Sequence, residues 1–79
     1  MNMRHELMGR KVELSRNYKK SKIIADAVAV HILSLLSSMD YEEMDIEDLQ
    51  LSAQSLSEAV ADMRLISKNL AKVNAALRN

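Results

Sequence analysis

No proline interrupts this 79-residue chain, and its one glycine, Gly9, stands near the start. A backbone with so few breakers, rich in Ala, Leu, Met, Glu, Lys and Ser and lacking Phe and Trp, is expected to form helices rather than sheet. Disorder is not expected, because 48% of the residues are apolar and the formal charge is zero.

Apolar periodicity divides the chain into two helices. The first series runs Leu7, Leu14, Tyr18, Ala25, Val28, Ile32, Leu35/Leu36, Met39, the three-and-four spacing of one helix face. From Lys22 onward the face broadens. Placed every 100°, Ile24, Leu35, Val28, Met39, Ile32, Ala25, Leu36, Ala29 and Leu33 fill an arc of about 180°. Between Ser37 and Asp45 the period stops, and Ser-Ser-Met-Asp-Tyr-Glu-Glu-Met-Asp supplies side chains that compete for backbone hydrogen bonds. Asp45 suits an N-cap, with Asp48 placed as in a capping box. The second series runs Ile46, Leu49, Ala53, Leu56, Val60, Met63, Ile66, Leu70, Val73, Leu77, a narrow coiled-coil seam with one short step at Met63 to Ile66.

The expected fold is therefore all-α, a single domain over residues 1–79. Helix one covers about 10–38, a turn 39–45, and helix two about 46–78. Gly9 costs about 1 kcal/mol relative to Ala inside a helix, so residues 1–9 are expected to fray or to form a separate turn. A short turn between long helices makes them antiparallel neighbours.

A hairpin of this size is short of core. A chain this short buries only about 60% of the surface its unfolded form exposes, and without cysteine no disulfide can reinforce it. One narrow seam also covers only part of the broad face of helix one, leaving Ile, Leu and Val in a patch that soluble monomers rarely tolerate. The expectation is a homodimeric four-helix bundle. Its candidate contact sets are Ile24, Val28 and Leu35 on one flank of helix one and Ala29, Leu33 and Leu36 on the other, with Ile32 on the face between them.

Charge is segregated along the chain. Residues 1–22 hold seven basic and two acidic side chains, residues 23–63 nine acidic and no basic ones, and residues 64–79 four basic ones. Acids in the turn fit capping, the helix dipole and solubility, and their spacing does not make a calcium loop. Cations late in helix two also suit the dipole. Those early in helix one oppose it, so Arg10, Lys11, Arg16, Lys19, Lys20 and Lys22 are candidate nucleic-acid contacts. Tyr18, though stackable, shares the apolar stripe with Leu14 and Ala25 and is expected in the core with its hydroxyl at the rim.

Little else suggests chemistry. His5 and His31 lie near opposite ends of one helix, His31 is expected to bond a serine or a backbone carbonyl, and Asp26 is expected in solvent. No phosphate loop, nucleophile–base spacing or metal-ligand spacing is present, so neither catalysis nor a cofactor is expected. The apolar run Ile23 to Leu36 is too short for a membrane span and is broken by Asp26 and His31, so neither membrane insertion nor secretion is expected. The expected role is a cytoplasmic regulator, adaptor or chaperone-like partner that binds itself and a protein target. A nucleic-acid-associated dimer is the alternative.

Overall fold

The computed structural model describes residues 3–78, and they form two helices, α1 (Met3–Ser37) and α2 (Ile46–Arg78). The helices run antiparallel as a hairpin, with no strand among the described residues. The molecule is a rod of 62 × 16 × 14 Å. Its radius of gyration, 17.8 Å, exceeds the roughly 12 Å of a compact domain of this length.

Helix one starts well before residue 10. It is continuous through Gly9, which sits in open space on the helix surface. Two features hold this first stretch. The Arg4 guanidinium donates to the backbone carbonyl of Leu77 at 3.0 Å, satisfying an acceptor that the last turn of α2 leaves without an intrahelical partner. Met3, Arg4 and Leu7 also border one cleft with Ala76 and Leu77. Docking against α2 thus outweighs the helix-weakening effect of Gly9. Residues 1 and 2, part of the segment expected to fray, lie outside the described residues.

The turn begins at Ser38. Met39 takes a left-handed conformation (φ 54°), which ends α1 by the usual C-terminal reversal but uses a side-chain-bearing residue where glycine is favoured. Around it the Ser37 hydroxyl donates to the Ser34 carbonyl at 2.8 Å, and the Met39 N–H donates to the Leu36 carbonyl at 3.3 Å. Met39 had been expected on the apolar face; the reversal instead turns it into solvent. At the other end Asp45 caps α2, its Oδ1 accepting from the Asp48 N–H at 3.0 Å.

The seam between the helices is more regular than the apolar series suggested. On α1 the inward residues are Leu7, Leu14, Tyr18, Ser21, Ala25, Val28, Ile32 and Leu35, alternating four and three apart from Leu14 onward. On α2 they are Leu49, Ser52, Leu56, Ala59, Met63, Ile66, Leu70, Val73 and Leu77, alternating three and four throughout. Two positions differ from the expected seam. Ser52 and Ala59 face inward where Ala53 and Val60 were expected; Ala53 is exposed and Val60 half-buried on the edge. With them in place the repeat has no short step at Met63. Small side chains at Ser21, Ala25, Ser52 and Ala59 give the middle of the seam little to interdigitate.

Burial is correspondingly thin. Among the described residues only Ala25, Ala59 and Val73 are buried, and no large side chain is fully enclosed. The accessible surface is 6344 Å², against roughly 4,800 Å² for a compact monomer of 8.9 kDa.

Candidate interaction surface

The hydrogen bonds from Arg4 to Leu77 and between His31 and Asp48 fix the register at the two ends of the hairpin. That register gives the rod two lateral flanks of different character. One is polar. It carries the His31–Asp48 pair, and beside it Ser21 and Ile24 of α1 share a depression with Ser55, Glu58, Ala59 and Asp62 of α2. The helical phase places Ala29, Leu33 and Leu36 of α1 on the opposite flank, next to Ile46, Ala53 and Val60 of α2. On that flank no charged residue falls between Asp26 and the end of α1, nor between Ile46 and Val60 on α2.

The candidate contact residues separate accordingly. Val28, Ile32 and Leu35 are half-buried against the hairpin's own second helix. Leu33 and Leu36 remain 67% and 42% exposed on the uncharged flank, beside half-buried Ala29. Ile24, 54% exposed, lies on the polar flank. The two sets proposed from sequence are therefore divided by α2, which covers most of one and little of the other.

The basic candidates do not share one face. Lys11, Arg16 and Lys19 surround a shallow groove on the outer side of α1, floored by Met8, Val12 and Ser15. Arg10 and Lys20 point elsewhere, and Lys22 is paired with Asp26 at 3.0 Å. Asp26 remains in solvent, as expected, with Lys22 one turn before it as its ion-pair partner. Tyr18 is half-buried in the seam, as its place on the stripe implied.

His31 and Asp48 form the cluster that sequence reasoning missed. His31 Nε2 lies 2.9 Å from Asp48 Oδ2, and the Ser52 hydroxyl donates to Asp48 Oδ1 at 3.0 Å. The Asp48 carboxylate is thus shared, Oδ2 with His31 of the other helix and Oδ1 with Ser52 of its own, rather than turned back on Asp45 as in a capping box. The pair is centred between residues 39 and 40, whereas the turn expected from sequence, 39–45, is centred on 42 and sets position 31 nearer position 53. These hydrogen bonds, first from His31 and then from Ser52, hold the Asp48 carboxyl below its ordinary value of 3.8. A histidine, an aspartate and a serine together resemble a catalytic triad only in composition. Here the carboxylate stands in the middle, so the hydroxyl has no imidazole to take its proton. The arrangement works as a clasp between helices.

Among the described residues no group of three or more His, Cys, Asp or Glu is placed to hold a metal ion, and no helix is long and apolar enough to cross a membrane. Comparison with protein-family models, with curated proteins and with solved structures finds no match to this chain.

Proposed function

We propose that this chain is a small non-enzymatic protein-interaction module that works as a homodimeric helical bundle, a regulator, adaptor or chaperone-like partner in the cytoplasm. One observation carries the reading: among the described residues the hairpin buries three small or medium side chains and leaves Leu33, Leu36 and Ile46 facing solvent together on an uncharged flank. Its surface exceeds that of a compact monomer by about 1,500 Å², while a standard interface removes about 800 Å² from each partner. A second hairpin on this flank would cover part of that excess, the exposed Leu33, Leu36 and Ile46 included. An amphipathic helix of a target would bind either in the groove that two hairpins form or on this flank in exchange for the dimer contacts. Sedimentation equilibrium over a concentration series tests the proposal. A dimer mass is expected, and a folded 8.9 kDa monomer throughout would overturn it.

A second reading rests on the convergence of Lys11, Arg16 and Lys19 around one groove. In it the basic half of the rod holds nucleic-acid phosphates. Binding should then weaken with salt at a log–log slope near −0.9 per phosphate neutralised, and a flat response would reject it.

A further inference from the structure

We infer that the second copy packs antiparallel to the first, apolar half on apolar half, so that each acidic turn lies beside the partner's lysine-rich segment. This arrangement rests on the homodimer proposed above and specifies its geometry. The uncharged flank is confined to the half of the rod nearest the turn, bounded on α1 by Asp26 and on α2 by Arg64, one turn beyond Val60. Two such patches can meet face to face in either direction. Charge decides between them. A parallel pairing would set the two acidic turns together and the two basic halves together, bringing like charges into register along the whole rod.

An antiparallel two-fold axis crossing the flank near Ala29 and Leu33 avoids both clashes. The turn lies about ten residues beyond that axis, roughly 15 Å along the helix at 1.5 Å per residue. Symmetry then sets Glu42 and Glu43 beside residues about ten positions on the axis's other side, which are the partner's Lys19 and the partner's Lys22. Apolar surface and charge therefore select the same register, although neither was used to find the other.

The chain has no cysteine, so a single introduced thiol reports without background. Tyr41→Cys is suited to this, because Tyr41 is exposed in the turn and its structural hydrogen bond is through the backbone carbonyl. With a nitroxide on that thiol, pulsed electron-spin resonance should give an intermolecular separation of about 30 Å or more, set by two turns each about 15 Å from the axis. A dimer mass with a separation under about 20 Å, roughly two helix diameters, would mean parallel hairpins, overturning this arrangement while leaving the homodimer standing. A monomer throughout would overturn both. A charge exchange gives a second readout on the unlabelled chain. Lys19→Glu should raise the dimer dissociation constant about threefold or more, and adding Glu43→Lys should restore it; absence of rescue would also overturn the antiparallel register.

Discussion

Truncating Leu33 separates a hairpin that functions alone from one that functions in pairs. Leu33 is 67% exposed, so within the hairpin its loss should hardly change the stability of the α1–α2 seam. Full burial of a leucine side chain is worth about 2 kcal/mol, so an interface that covers the exposed two-thirds gains about 1.3 kcal/mol from it. A symmetric dimer contains two copies, giving about 2.7 kcal/mol per dimer. At about 1.4 kcal/mol per factor of ten, Leu33→Ala should weaken the dimer about 90-fold. Any cavity left behind adds to this figure. Sedimentation equilibrium with helicity followed in parallel is the assay. Leu65→Ala is the internal control, because Leu65 is 58% exposed but lies toward the polar flank, and it should leave the dissociation constant within about threefold. Equal effects from the two substitutions, or a change under about threefold for Leu33→Ala, would refute the assignment of this flank as the interface.

Three further outcomes follow from the hairpin itself. Gly9→Ala should stabilise by about 1 kcal/mol, seen as a higher urea midpoint, because the added methyl meets nothing within 4 Å and the helix continues through this position. Met39→Gly should also stabilise, by about 1 kcal/mol, since the left-handed backbone there strains any residue with a Cβ; a loss of stability would show that the Met39 side chain holds the turn. For Asp48 the folded carboxyl is depressed, so the unfolded chain binds a proton more readily. Its contribution is therefore present above pH 3.8 and is lost as pH falls through its lower folded value. Denaturant titrations across this acidic range should show a shallower pH dependence for Asp48→Asn than for the parent chain.

Helix type, antiparallel pairing and the bounds of α2 could be read from the residues because each had a local cause: apolar periodicity, absent breakers and an aspartate cap at position 45. The seam was misread where its residues were small. Ser52 and Ala59 carry no stronger apolar signal than Ala53 and Val60 beside them, although only the first pair keeps the alternating step. The early start of α1 was missed for a different reason. Gly9 weakens a helix locally, whereas the bond from Arg4 to Leu77 joins residues 73 apart and appears only when the hairpin register is known. The clasp of His31, Asp48 and Ser52 likewise spans both helices, whereas the capping spacing from Asp45 to Asp48 is a signal within one helix. At the candidate surface, the excess of apolar side chains on α1 is legible in the sequence along its face. Which of them α2 would cover depended on its rotation about its own axis, and that rotation is set by the small residues.

The length of the rod has an electrical consequence. In physiological salt a charge is felt over about 8 Å, whereas the acidic turn and the far basic tip lie at opposite ends of a 62 Å body. Neither tip senses what is bound at the other through the solvent. Any signalling between them has to pass mechanically, along two helices tied at each extremity by one polar link and joined between by a smooth, small-residue waist.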